Sequence, residues 1–137
     1  MADPFDNKGK FLVNPDRVLM ALIPDRRRAE FVIDTLSADG YSRERIKVLH
    51  GEEGARVLDL RGQYHGRFAR LQRWRQKFTY YQTVLGLYAA GLKRGEFVIY
   101  IPTEREDRQR VGHILVSQQA HGVHYFGYGT VETLSGA

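Results

Sequence analysis

The chain has 137 residues, 42% of them apolar and 27% charged, with a formal net charge of +5 and no cysteine. That length fits one domain able to bury roughly two-thirds of the surface its unfolded form exposes, and the missing thiols exclude disulfide frameworks, thiolate metal sites and cysteine nucleophiles. The longest apolar run, Val18 to Ile23, is too short to span a bilayer, and Met1 to Lys10 holds no apolar leader. The reading is therefore a cytoplasmic protein, with a flexible N-terminal arm over residues 1–16 and one domain over residues 17–137.

Arg17 to Ile23 reads as a buried strand, because it is short, nearly all apolar and bounded by Asn14-Pro15-Asp16 and Pro24. Asp25 is placed to cap a helix whose apolar face is Ala29, Phe31, Val32, Thr35 and Leu36, and Gly40 supplies a left-handed stop. Ile46 to His50 alternates as a second strand. Near the other end the same order returns: Phe97 to Ile101 is a strand closed by Pro102, and Thr103 with Glu106 makes a capping box. A helix to about Ala120 follows, stopped by Gly122, and Val123 to Tyr128 forms a strand.

Two strand–helix–strand units of this kind predict an α+β fold of the ferredoxin-like type. Two split βαβ units would form a four-stranded antiparallel sheet, with both crossover helices on one face and the two Ile-Pro strands side by side. Residues 51–92 are then an insertion. Its first part, Gly51 to Gly66, reads as a glycine-rich loop. In its second part Leu71, Trp74, Phe78, Tyr81, Leu85, Tyr88 and Leu92 fall at alternating spacings of 3 and 4, a helical seam with a bend expected near Gly86. This seam must pack on a sheet face, on the crossover helices or on another subunit.

Charge is unevenly spread. Arg61 to Arg94 holds eight basic residues and no acid, which leaves −3 for the rest of a +5 chain. Arg70, Arg75 and Lys77 flank the seam, so an anionic partner, RNA or DNA, held by Arg67, Arg70, Arg73, Arg75 and Lys77 is one reading of this basic helix. The other is a solvated face whose arginines pair with Glu30, Asp34 or Glu104. An RNA-recognition sheet would display Tyr100, Tyr125 and Phe126, but the second aromatic motif of such sheets is missing, and packing under the middle helix or a dimer mate explains these residues better.

In the inserted loop, Asp59, His65 and Arg67 form the best polar cluster for a ligand, with Asp59 and His65 as a base and its orienting partner. His121 and His124 have a spacing compatible with one metal, but no third ligand lies near in sequence, so neither a metal nor a cofactor is assigned. The helix N-terminus at Asp25, beside Arg26, Arg27 and Arg28, can attract an anion. No phosphate loop, nucleophile elbow or dinucleotide fingerprint is visible.

The layout as a whole, with Ile-Pro closing the first and third strands, Gly54, Ala55, Leu58, Asp59, Gly62, His65 and Gly66 in the linker, and Tyr125-Phe126-Gly127 followed by Thr130-Val131-Glu132 and Leu134, resembles small bacterial proteins related to the general-stress, heat-induced group. The resemblance implies a ferredoxin-like domain with no catalytic residue to carry over. Members of that group often have a glycine-rich hydrophobic hairpin where this chain has its basic aromatic helix. The function expected is a non-catalytic, stress-related binding or assembly domain, homodimeric through an open sheet face or through the seam. The alternatives are nucleic-acid binding through residues 67–77, and a small-molecule or haem- or metal-binding enzyme with its site near residues 51–66.

Overall fold

The computed structural model describes residues 4–5, 17–56, 58, 75–127 and 130–135. They form an α+β fold in the order β1 (Val18–Ile23), α1 (Arg26–Ala38), β2 (Lys47–His50), α2 (51–56), α3 (Arg75–Lys93), β3 (Phe97–Pro102), α4 (Arg108–Ser117), β4 (His121–Gly127) and β5 (Thr130–Ser135). The sheet is antiparallel throughout and runs β2-β3-β1-β4-β5. β1 and β3 lie side by side, with Leu19 opposite Ile101 and Leu22 opposite Val98. The sheet has five strands rather than four, because Thr130–Ser135 folds back on β4 and sets Val131 opposite Phe126.

Local chemistry explains most element ends. Asp25 caps α1 by accepting from the Arg28 amide at 2.9 Å. At the other end Gly40, with φ of +96°, lets the Tyr41 amide reach back to the Leu36 carbonyl at 3.0 Å. The second helix departs from its capping box. Thr103 is buried, its hydroxyl donates to the Ile101 carbonyl at 2.8 Å, and the Tyr125 hydroxyl donates to the Thr103 carbonyl at 3.0 Å. These bonds thus occupy the expected cap. The chain makes a 3₁₀ turn over Arg105–Asp107, and α4 begins only at Arg108. α4 also stops at Ser117, short of Ala120. Gln119 takes the left-handed position with φ of +63°, and the Ala120 amide bonds the Leu115 carbonyl at 3.1 Å.

Alternation along the strands divides the core into two layers. On one face Leu19, Ala21, Ile23, Ile99, Ile101, Val123 and Tyr125 pack with Ala29, Val32, Ile33 and Leu36 of α1 and with Val111 and Leu115 of α4. On the other, Val18, Met20, Leu22, Leu49, Val98 and Phe126 pack with Val84, Leu85, Tyr88, Ala89 and Leu92 of α3. Both faces of the sheet are therefore covered, and the open face expected for dimer contacts or base stacking is filled by the chain's own α3. Tyr100 packs partly buried in the α3 layer together with Phe126, while Tyr125 faces the opposite layer.

α3 runs unbroken through Gly86. A glycine in an exposed helix interior costs only about 1 kcal/mol, whereas each fully buried large apolar side chain contributes about 1.5–3 kcal/mol; Val84, Leu85, Tyr88 and Leu92 together outweigh it. Of the stretch read as a loop, residues 51–56 are helical, with Ala55 and Leu58 buried beneath the same layer. In the N-terminal arm, Pro4 and Phe5 are anchored: the Val48 amide donates to the Pro4 carbonyl at 2.7 Å, and the Phe5 ring is 7% exposed.

The fit of α3 to the sheet leaves no room at Gly91, where a Cβ would collide with the Leu22 side chain, while at Gly86 a Cβ would meet nothing. Gly91→Ala should destabilise the protein by about 1–3 kcal/mol through overpacking, and Gly86→Ala should stabilise it by about 0.5–1 kcal/mol through helix propensity. Urea unfolding of the two variants checks the opposite signs.

Candidate functional site

Three places in the described residues gather chemistry-bearing side chains. The first is buried between α3 and the sheet. Between Met20 and Leu22 the pairing of β1 with β4 shifts register, and Gly122, with φ of +59°, takes up the irregularity on β4. The Tyr88 hydroxyl meets this bulge, lying 3.0 Å from the Met20 carbonyl and 2.9 Å from the Gly122 carbonyl, both of which can accept its proton. His124 Nδ1 donates to the Gly122 carbonyl at 2.8 Å and lies 3.2 Å from the Tyr88 oxygen. Burial pushes the His124 imidazole below its ordinary value, against the smaller opposite effect of the Gly122 bond. This is a hydrogen-bonded node that seats α3, in which a neutral ring is favoured over a cation.

The second place joins the α3–β3 turn to β4. His121 Nε2 lies 2.5 Å from Glu96 Oε1, and Arg94 Nη2 lies 2.7 Å from Glu96 Oε2. Burial acts to raise the Glu96 carboxyl, but the His121 and Arg94 hydrogen bonds outweigh it and hold it below the ordinary carboxylate range. His121 and His124 thus serve different partners, and among the described residues no cluster of three or more His, Cys, Asp or Glu can hold a metal.

The third place is the outer surface of α1. Arg27, Arg28, Glu30, Phe31, Asp34 and Gln118 line an open groove of about 490 Å³. Phe31, read from sequence as part of the helix's core face, is 53% exposed, and Ile33 takes the buried position instead. Its neighbours form local ion pairs: Arg26 with Glu30 at 3.1 Å, and Asp34 with Arg43 at 2.8 Å. The expected anion site at the start of α1 is already satisfied. Asp25 accepts from the Arg28 amide and from the Arg28 guanidinium, and chiefly through the amide bond its carboxyl is held low.

The remaining sequence-predicted residues divide by location. Asp59, His65, Arg67, Arg70, Leu71, Arg73 and Trp74 lie outside the described residues. Arg75, Lys77, Phe78 and Tyr81 fall on the backbone of α3, but their side chains lie outside the description as well. Leu85 and Tyr88, at the other end of the seam, are buried on the sheet. The acids expected to face the basic helix have other partners among the described residues, Glu104 lying 4.0 Å from Arg17. Glu96 and the bulge at Gly122, read from sequence only as a helix stop, escaped the sequence reading, since a bulge and a cross-element carboxylate leave no local pattern. Phe31 had one available signal: at helical spacing it falls on a stripe with Arg27 and Asp34 rather than with Ala29 and Leu36.

No protein-family model matches the chain, and no curated protein or solved structure matches it either. No helix among the described residues is long and apolar enough to cross a membrane.

Two measurements test these assignments. Tyr88→Phe keeps the ring but removes the hydroxyl that bonds at the Met20 and Gly122 carbonyls, the latter keeping His124 as a donor, and should cost about 1 kcal/mol in urea unfolding. Because the folded Glu96 carboxyl sits below its ordinary 4.5, its contribution is complete above that pH and is lost as pH falls through the folded value. The gap in urea midpoint between wild type and Glu96→Gln should therefore be open at neutral pH and close on acidification below about pH 4.5.

Proposed function

We propose that this chain is a ferredoxin-like binding and assembly domain that works as a homodimer without catalytic chemistry of its own. In this reading β1 to β4, in the order β2-β3-β1-β4, are the two βαβ units, and α3 and β5 are additions that close one face and extend one edge. One observation carries the proposal. Both sheet faces are occupied by the chain's own helices, yet Phe31 and Val116 remain exposed on α1 and α4, the large apolar side chains that the described surface leaves in water. An aromatic ring at 53% exposure beside an open groove is the kind of surface that a partner protein covers.

The chemistry of the interior agrees with this. The buried polar side chains Thr103 and His124 are bonded to backbone carbonyls, which is a structural use of polar groups. A site for base stacking on the sheet would need Phe126 uncovered, and α3 covers it. The resemblance of the layout to the heat-induced stress group supports a role in a cytosolic stress response, where a self-associating module with no chemistry of its own acts by assembling. Static light scattering from about 1 to 100 μM, a span that brackets a micromolar dimer, tests the reading. The expected mass is twice the 15.8 kDa of the chain at the upper end, and the chain mass throughout contradicts it.

A further inference from the structure

We infer that the homodimer forms by antiparallel packing of α1 against α1 of a second copy across a two-fold axis at Phe31; this rests on the homodimer reading and names its surface. At about 100° per residue, Arg27, Phe31, Asp34 and Ala38 fall within a stripe roughly 60° wide. All four are exposed, while Ala29, Val32, Ile33 and Leu36 face the core. The stripe thus has a cation, an aromatic ring, an anion and a small residue in order along the outer side of the helix. Phe31 also lines the open groove, so the patch holds both a knob and the hollow beside it.

The charge order then selects the occupant and its direction. At about 1.5 Å rise per residue, Arg27 lies about 6 Å before Phe31 and Asp34 about 4.5 Å after it. A two-fold axis at Phe31 that runs the helices antiparallel brings Arg27 of each copy within reach of Asp34 of the other, twice over, with the two rings between them. A parallel arrangement would oppose Arg27 to Arg27 and Asp34 to Asp34, and like charges would reject it. Arg27 has no hydrogen bond or ion pair among the described residues, and Asp34, though paired with Arg43 at 2.8 Å, keeps its side chain 69% exposed, so that a second guanidinium can approach it. A patch whose own charges are complementary only when rotated on itself fits a second copy of this chain better than an acidic or a basic ligand.

The test is light scattering on the full-length chain and on four variants, with far-UV circular dichroism confirming that each stays folded. Phe31→Glu should abolish the dimer. Arg27→Asp and Asp34→Arg should each weaken association about tenfold or more, because each creates two like-charge contacts. Arg27→Asp combined with Asp34→Arg restores opposite charges across the axis and should recover association to within a few-fold of wild type. A wild-type dimer that all four variants leave unchanged overturns the assignment of α1 while the homodimer stands. A wild type that stays monomeric overturns the homodimer reading itself.

Discussion

The seating of α3 on the sheet is the constraint on which the rest of the molecule depends. At Gly91 the helix backbone comes so close to Leu22 that only a hydrogen fits between them, and at Gly122 a Cβ would lie 3.0 Å from Leu87. Such approach brings Tyr88, Leu85 and Leu92 down onto Met20, Leu22, Val98 and Phe126, and close packing of this kind strengthens dispersion along the whole contact. It also removes one face of the sheet from solvent. A chain with an open aromatic sheet can read bases or dimerise through it; a chain with this helix in place cannot do so without displacing its own core.

The bulge in β4 and the Tyr88 hydroxyl belong together. A register shift between β1 and β4 places the Met20 and Gly122 carbonyls where the ladder is irregular, and one phenol reaches both while His124 serves Gly122 as well. The same residues that make α3 fit give it a fixed position along the sheet. Apolar contacts alone define where a helix lies less sharply than a hydrogen bond to a particular carbonyl. On the far side, Arg110 holds the ends of α1 and α4 together by binding Asp39, with Tyr41 donating to Asp107 at 3.2 Å. The helix layer is thereby fixed as a unit, and the surface it presents outward, with Phe31 and Val116, is a defined one.

Sequence reasoning reached the strands and α1 because their signals are local. Asp25 and Gly40 cap a helix by contacts within a few residues, and the two Ile-Pro pairs mark strand ends, Pro24 just past β1 and Pro102 as the last residue of β3. It failed where distant residues intervened. Thr103 has the right neighbour for a capping box, but Ile101 and Tyr125 claim its polar groups first. Gly86 looks like a break only until Val84, Leu85 and Tyr88 are seen to hold the helix from below. β5 was legible and passed over, since Thr130 to Leu134 follows glycine-rich residues and alternates as a hairpin partner should. Residues 51–56 were similarly readable, with Glu52 and Glu53 favourable in a first turn and Ala55 and Leu58 three apart. For the surface, the seam of large aromatics marks α3, while the exposed Phe31 ring lies on a helix whose apolar pattern its buried face already accounts for.

The account stands on α3 lying against β1 with Gly91 over Leu22. A nuclear Overhauser spectrum of isotopically labelled protein measures that contact directly, through cross-relaxation between the Gly91 α-protons and the Leu22 methyl groups. Strong cross-peaks between them, with others linking the Tyr88 ring to Met20, are the result this packing requires. Leu22 methyls that show cross-peaks to strand neighbours and none to α3 would mean that the sheet face is open, and the reasons for placing assembly on α1 would fall with the covered face.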